Sequence, residues 1–244
     1  MTWSRLRGSL AAEVVLLGAV YLTGELTRGL ARGGAETAER HAAAIVHAER
    51  HLHVFGEGGI QRAVEHVWAL PVLLGYAYLS LHLLGTAGVL LWVYRRRPHA
   101  YRRLRNALVL ANALAVVGYA LFPTAPPRLA GVGVADTVSS ATSINLGSAF
   151  AGAFYNPYAA VPSMHIGFSL LVGAAVWRLA RRRVWRVAGA LYPVFVLFVI
   201  VATGNHFFLD AVAGAAVAVA AVAATGLAPA TRRRPVPVPA HEFG

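Results

Sequence analysis

Long apolar blocks separated by short polar runs dominate the chain. A membrane-spanning helix needs about 17–25 mostly apolar residues, and six segments approach or reach this length. Their bounds are 10–22, 67–94, 107–122, 162–179, 184–202 and 207–227. The pattern predicts an all-α polytopic membrane protein, built as a six-transmembrane-helix bundle. We expect residues 1–230 to form a single integral membrane domain and 231–244 to be a disordered cytoplasmic tail, because the tail is a Pro-Val repeat.

The first apolar segment allows two interpretations. Arg5 and Arg7 precede it, as in a secretory signal peptide. However, Glu13 interrupts the apolar run, and no small-residue cleavage site follows it cleanly. We favour a helix that is retained in the protein.

Arginine clusters precede the first predicted span, lie between the second and third and between the fourth and fifth, and follow the sixth. They are found at 5–7, 95–105, 181–183 and 232–234. With six spans, all four clusters fall on the same side of the membrane, and the positive-inside rule makes that side cytoplasmic. We therefore expect a multi-pass protein of a bacterial inner membrane with both termini in the cytoplasm.

Two long segments then lie outside. Residues 30–66 have the pattern of an amphipathic helix broken at 56–59, with apolar positions at helical spacing. These apolar positions are Ile45, Ala48, Leu52 and Phe55. We expect an extracytoplasmic amphipathic helix between spans one and two, lying in the membrane interface. Residues 123–161 form a loop of a length that is often functional.

The composition supports the membrane class and excludes others. The chain has 244 residues, of which 57% are hydrophobic and 13% are charged, and its mean hydropathy is +0.57. The net charge is +12 and every basic residue is arginine, but the arginines gather at the ends of apolar blocks, which argues against nucleic-acid binding. The absence of cysteine excludes disulfides and thiolate sites. The oligomeric state stays open.

Three polar clusters share the predicted outer side. His206 and Asp210 are four residues apart at the start of a helix, so the carboxylate can orient the imidazole. Alone, such a pair is more often a capping pair. His165 lies about one turn inside another helix, where it can protonate a leaving oxygen, and Ser163 and the free N–H groups of that turn form an anion site. Arg128 adds a planar fork that suits phosphate.

These clusters resemble a known family. Residues 162–165 (PSMH) and 204–210 (GNHFFLD) resemble the second and third motifs of the type 2 phosphatidic acid phosphatase superfamily. Residues 122–128 (FPTAPPR) are similar to the branch that contains the inositol phosphorylceramide synthases. Two features depart from the usual pattern: the first motif, Lys-x6-Arg-Pro, is absent, and Ile200 replaces the arginine expected six residues before His206.

The resemblance implies roles for individual residues. His206 would be the nucleophile that forms a phosphohistidine, Asp210 would orient it, and His165 would protonate the departing oxygen. The substrate-binding residues would be Arg128, Ser163, Met164, Asn205 and Tyr158. The resemblance implies a lipid phosphate as the substrate. It implies neither a metal nor another cofactor.

Alternatives remain open at this point. Hydrolysis and headgroup transfer share the same catalytic residues, and a non-catalytic lipid-binding or transport protein is a hypothesis of another class. Arg62 is a possible second phosphate-binding cation, although an exposed helix-face charge is the default. His82 lies inside the second predicted span and is explained equally well by a bond to a neighbouring helix. His47 and His51 could bind a metal but lack a third ligand at fixed spacing.

Overall fold

The computed structural model describes residues 34–148 and 156–226, together with positions 11, 13, 15 and 18. These residues form no β-strand, and most of their helices are joined by short junctions, with a longer loop before and after α5. The helices are α1 (Ala35–His51), α2 (Glu57–Glu65), α3 (Leu70–Arg96), α4 (Pro98–Leu121), α5 (Thr137–Ala141), α6 (Met164–Leu179), α7 (Arg183–Ala202) and α8 (Phe208–Thr225). The all-α prediction is therefore correct for the described part of the chain.

Four helices are long and apolar enough to cross a membrane, namely α3, α4, α7 and α8. They coincide with the second, third, fifth and sixth predicted spans. The fourth predicted span contains α6, which has 16 residues and is shorter than the usual span of about 17–25 residues. The first predicted span, 10–22, lies mostly outside the described residues, so the count of six stays a prediction.

The arginine-rich stretch 95–105 lies between two predicted spans, 67–94 and 107–122, but it is not a loop. α3 continues to Arg96 and α4 begins at Pro98, so only Arg97 lies between the two helices. Proline suits the first helical position because its φ angle is preset and its missing N–H would have no partner there. Arg105 of α4 instead forms an ion pair with Glu13.

α6 is the central helix and packs against α3, α4, α7 and α8. Its backbone approaches α7 closely at Gly173 and Gly189, where a Cβ added to Gly173 would lie 2.5 Å from the Gly189 carbonyl oxygen. Small residues that let helix backbones approach are typical of helix contacts within membranes. The middle of α6 is thereby held close to α7.

α1 and α2 form the segment predicted as one broken amphipathic helix. The break lies at residues 52–56 rather than 56–59, because α2 begins at Glu57. Gly58 and Gly59 are helical despite their low helix propensity. The Glu57 carboxylate accepts the N–H of Gly56 at 3.0 Å and thus supports the start of α2.

The buried face of α1 matches the predicted apolar stripe only in part, because Ile45 is buried but Leu52 is exposed. This face also carries buried residues outside that stripe, namely Ala42, Val46 and Glu49. This face packs against Phe207, which is next to His206 in the chain. The amphipathic pattern therefore reflects a contact within the protein, and the place of α1 relative to a membrane stays untested.

The loop between α4 and α6 is tied to the bundle at several points. Thr124 and Ala159 form a parallel bridge that joins its two ends. The Gln61 side chain of α2 donates to the Ala135 carbonyl at 2.8 Å and accepts the Ala135 N–H at 2.7 Å. Asp136, the N-cap residue of α5, follows Ala135, whose carbonyl oxygen lies beside Gly204 of the 203–206 turn. The predicted tail 231–244 lies outside the described residues.

Candidate active site

His206 and Asp210 contact each other at the start of α8. The Nδ1 atom of His206 lies 3.2 Å from Oδ2 of Asp210, and the same oxygen accepts the N–H of Phe207 at 2.9 Å. The two side chains are 6% and 0% exposed. A buried carboxylate accepts the Nδ1–H of the imidazole, which leaves the lone pair on Nε2. The structure thus brings together the two residues that the sequence paired, and the orienting role of Asp210 stays a prediction.

His165 faces the other ring nitrogen of His206. Its Nδ1 atom lies 3.3 Å from Nε2 of His206. We assign the proton in this contact to His165, because the proton of His206 is already placed on Nδ1 by Asp210. A nitrogen with a free lone pair therefore lies opposite a nitrogen that carries a proton.

Close backbone packing holds His165 in this place. The N–H of Ser163 donates to the carbonyl of Asp210 at 3.0 Å, which joins the start of α6 to α8. A Cβ added to Gly214 would lie 2.1 Å from the Ser163 carbonyl oxygen, and one added to Gly118 would lie 2.6 Å from Cδ of Pro162. Two glycines of different helices therefore make room for residues 162–163.

Two aromatic side chains of α3 support His165 from the other side. The ring of Tyr78 stacks on His165 with centroids 4.6 Å apart, and the ring of His82 lies at 4.3 Å. The sequence drew attention to His82 without placing it in the site. The four-residue spacing of Tyr78 and His82 on one helix face was a usable signal, but the partner on α6 is set by helix packing.

Arg128 lies beside the turn that carries His206. Its Nε donates to Oδ1 of Asn205 at 3.0 Å, and a terminal N–H donates to Oδ2 of Asp136 at 3.3 Å. The Arg128 side chain is 3% exposed. Asp136 was not singled out by the sequence patterns, because an aspartate in a polar loop is expected to cap a turn.

Two buried glutamates bind the N-terminus of α8. Oε1 of Glu49 accepts the N–H of Leu209 at 2.7 Å, and Oε1 of Glu57 accepts the N–H of Phe208 at 3.3 Å. Burial, followed by the nearby Glu57 carboxyl, raises the pKa of Glu49 to about 8. Both glutamates lie in polar stretches typical of exposed helix faces, so nothing in the sequence pattern indicated this contact.

A cavity of about 200 Å³ lies against these histidines, between α3, α4 and α6. Four predicted site residues line it, namely Met164, His165, Asn205 and His206. The cavity also has an apolar side, to which Leu79, Leu83 and Phe168 contribute. Asn112 and Tyr119 of α4 add polar groups, so the wall along the helices is apolar only in part.

The other predicted site residues do not line this cavity in the described part of the chain. Asp210 lies behind His206. Ser163 is fully buried, and its Oγ has no hydrogen-bond partner among the described residues. Tyr158 packs with Phe207 and α1, although its neighbours Pro157 and Ala159 reach the cavity. Arg128 contacts the cavity wall through Asn205.

No group of three His, Asp or Glu side chains suited to a metal ion occurs within residues 34–148 and 156–226. The rings of His47 and His51 have centroids 6.4 Å apart. Arg62, the possible second phosphate-binding cation, is exposed on α2. Neither feature lines the cavity beside His165 and His206.

The fold is that of a helical membrane protein, and its cavity joins two histidines, one of them held by a carboxylate. The model of the PAP2 superfamily matches residues 43–224, more than half of the chain. The protein therefore belongs to the PAP2 superfamily, and this membership indicates an enzyme with a phosphatase-type activity. No curated protein and no solved structure matches the chain.

Proposed function

We propose that the protein is an integral membrane lipid phosphatase or phosphotransferase that acts through a phosphohistidine on His206. The single observation that carries the proposal is the geometry of His206. Its Nδ1 atom is held by Asp210 and its Nε2 atom points to His165. A nucleophile oriented by a carboxylate and placed opposite an acid is the arrangement that group transfer requires.

In the first step, Nε2 of His206 attacks the phosphorus atom and the bond between phosphorus and the leaving oxygen breaks. His165 gives its proton to that oxygen, so a phosphate ester loses an alcohol and an isoprenoid pyrophosphate loses the isoprenoid monophosphate. Asp210 stabilises the positive charge that develops on the His206 ring. Arg128 supplies positive charge beside Asn205, where the phosphoryl oxygens are bound.

In the second step, the phosphoryl group leaves His206. His165, now without its proton, takes one from a water molecule, and the hydroxide oxygen forms a bond to phosphorus as the P–N bond breaks. Water gives inorganic phosphate, whereas an acceptor alcohol in the same position gives a new phosphoester. Headgroup transfer is a second candidate because residues 122–128 are similar to the inositol phosphorylceramide synthase branch.

The walls of the cavity support a lipid as the substrate. The polar end holds the histidines, and Leu79, Leu83 and Phe168 line the part that lies along the helices. A phospholipid or an isoprenoid phosphate or pyrophosphate has this division into a charged group and a hydrocarbon chain. All groups used in the proposed steps come from the chain, and we expect activity to persist in EDTA.

We place the reaction at the outer membrane face. The arginines of 95–97 and 181–183 lie at the ends of α3, α6 and α7 that point away from the cavity. The positive-inside rule assigns those ends to the cytoplasm. The chain has no cysteine, so single cysteines can report the side directly. Leu129→Cys should react with an impermeant maleimide from outside, and Arg182→Cys should react only after lysis; the reverse pattern contradicts this placement.

The reaction itself is tested with purified protein in detergent. Phosphatidic acid and an isoprenoid pyrophosphate are offered, and released phosphate is measured. We expect turnover by the wild type and an acid-labile phosphorylated protein, with both lost in His206→Ala. Exchange of headgroups between lipids without phosphate release favours the transferase. Activity unchanged in His206→Ala contradicts the mechanism, and a wild type that binds lipid without either reaction favours the non-catalytic alternative.

A further inference from the structure

A second cavity lies at the opposite end of the helices from the catalytic one. Its volume is about 910 Å³, and we call it the arginine groove. It is lined by Gly88, Val89, Trp92, Arg96, Arg97, Val176, Leu179, Ala180, Arg181, Arg182 and Trp185. Leu179 ends α6, whereas His165 lies in its first turn, so these two residues lie about 21 Å apart along that helix.

The polar side of the arginine groove is entirely basic. Its four arginines are exposed, and no acidic side chain of the described residues lines it. None of these arginines forms an ion pair within residues 34–148 and 156–226, whereas Arg40, Arg105 and Arg128 elsewhere do. Four like charges around one concave surface repel each other, and an anion bound among them relieves this repulsion.

The remaining wall of the arginine groove is apolar and aromatic. Val89, Val176 and Leu179 line it along the helices, and Trp92 is half-buried. Trp185 is 60% exposed at the edge. Tryptophan is enriched where a membrane meets water, because its ring is apolar and its N–H is polar. α3 and α7 are both candidate spans, so this wall continues into surface that meets lipid chains.

We propose that the arginine groove binds the phosphate headgroup of an anionic phospholipid, with an acyl chain along Val89, Val176 and Leu179. The charge of the four arginines selects an anion, and the apolar wall selects a molecule with a hydrocarbon chain. A free phosphate ion would use only the first of these two features. The bound lipid is separate from the substrate, since it lies at the other end of α6, and the proposal does not depend on the catalytic function.

The proposal predicts binding that depends on headgroup charge. Delipidated protein is titrated with phosphatidylglycerol, phosphatidylcholine or inorganic phosphate, and bound lipid is counted by native mass spectrometry. We expect phosphatidylglycerol to bind about tenfold or more tightly than phosphatidylcholine. Equal binding of the two lipids, or phosphate that displaces phosphatidylglycerol at equal concentration, overturns the proposal.

Matched variants separate the arginine groove from general surface attraction. The groove variant replaces Arg96, Arg97, Arg181 and Arg182 by glutamine, and the control replaces Arg95, Arg102, Arg103 and Arg183, which are also exposed and lie outside the groove. Both lower the net charge by the same amount. We expect only the groove variant to lose the preference for phosphatidylglycerol by about tenfold, with lipid-phosphate turnover retained. Equal losses in the two variants overturn the proposal.

The wild-type protein offers a test that does not depend on how a variant folds. Phosphatidylglycerol with brominated chains quenches tryptophan fluorescence on contact. We expect it to quench more than brominated phosphatidylcholine at the same concentration, and the difference to decrease when Trp92 is replaced by phenylalanine. Identical quenching by the two lipids contradicts the proposal.

Discussion

The Nε2 atom of His206 lies 3.3 Å from the Nδ1 atom of His165, so one hydrogen bond joins the two histidines across the cavity wall. The proposed nucleophile and the proposed acid are therefore in contact before a phosphoryl group is bound. A phosphorus atom can reach Nε2 only when it replaces this hydrogen bond. Substrate binding then breaks the contact and leaves the proton of His165 directed at the substrate.

Replacing His165 by alanine should slow the reaction in a way that depends on the leaving group. General acid catalysis contributes about 10²–10⁴-fold, and we expect a loss of this size for an alkyl phosphate such as phosphatidic acid. p-Nitrophenyl phosphate needs no proton on its leaving oxygen, so its rate should decrease much less. Steady-state rates of both substrates check this, and equal losses would show that His165 is not the acid.

The stacked ring of Tyr78 should matter through its shape and not its hydroxyl. Tyr78→Phe keeps the ring 4.6 Å from His165, and we expect near wild-type activity. Tyr78→Ala removes the stacking, which is worth about 0.5–1.5 kcal/mol, so kcat should decrease several-fold. An equal loss in both variants would assign the effect to the hydroxyl group.

Gly214→Ala should displace the first turn of α6. The new methyl group would lie 2.1 Å from the Ser163 carbonyl oxygen, and a shift of His165 by about 1 Å can cost about 10²-fold in rate. Gly88→Ala is the matched control, because nothing lies within 4 Å of its added Cβ on α3. Activity and thermal unfolding are measured for both, and wild-type turnover in Gly214→Ala would refute the predicted displacement.

The stability of the protein should depend on pH through Glu49. Its pKa is about 8 in the folded protein and ordinarily 4.5, so the folded state binds the proton more tightly. The free energy of unfolding should therefore decrease as the pH rises from about 4.5 to about 8. Thermal unfolding across this range should show a smaller decrease in Glu49→Gln. The exposed Glu39→Gln is the control, and identical slopes in all three proteins would contradict the prediction.

Arg128 should contribute more to phosphate binding than any exposed arginine of the outer segment. A hydrogen bond to a charged group is worth about 1.5–3 kcal/mol, so Arg128→Ala should lower kcat/KM by about 10–100-fold. Arg128→Lys keeps the charge but loses the planar fork that contacts Asn205 and Asp136, and we expect it to restore activity only in part. Arg62→Ala should have no effect; a large effect would make Arg62 the phosphate-binding cation.

The sequence predicted the helices that carry strong apolar periodicity and the residues that carry motifs. α7 and α8 begin and end within two residues of the predicted bounds. α4 was predicted nine residues too short at its start, because its first turns carry arginines that extend beyond the apolar block. The apolar pattern indicates which part of a helix is suited to a membrane, and it does not give the full helix length. The polar ends of a helix are therefore not predicted from it.

The candidate site was predicted where its residues are close in sequence and missed where they are not. The pair His206 and Asp210 follows from helical spacing alone. Glu49 and Glu57 reach α8 from about 150 positions away, and a single sequence contains no signal for such a contact. Asp136 and Tyr78 escaped for the same reason, since their partners are determined by how loops and helices pack.

α3 is much longer than its neighbour α6, and both end beside the arginine groove. They have 27 and 16 residues, a difference of about 16 Å in height at 1.5 Å per residue. The stacking of His165 on Tyr78, eight residues into α3, agrees with this offset. His165 therefore lies more than one helical turn deeper in the bundle than the N-terminal end of α3. A phosphate that reaches this depth loses part of its hydration, which costs free energy. A substrate with hydrocarbon chains offsets this cost better than a small soluble ester does.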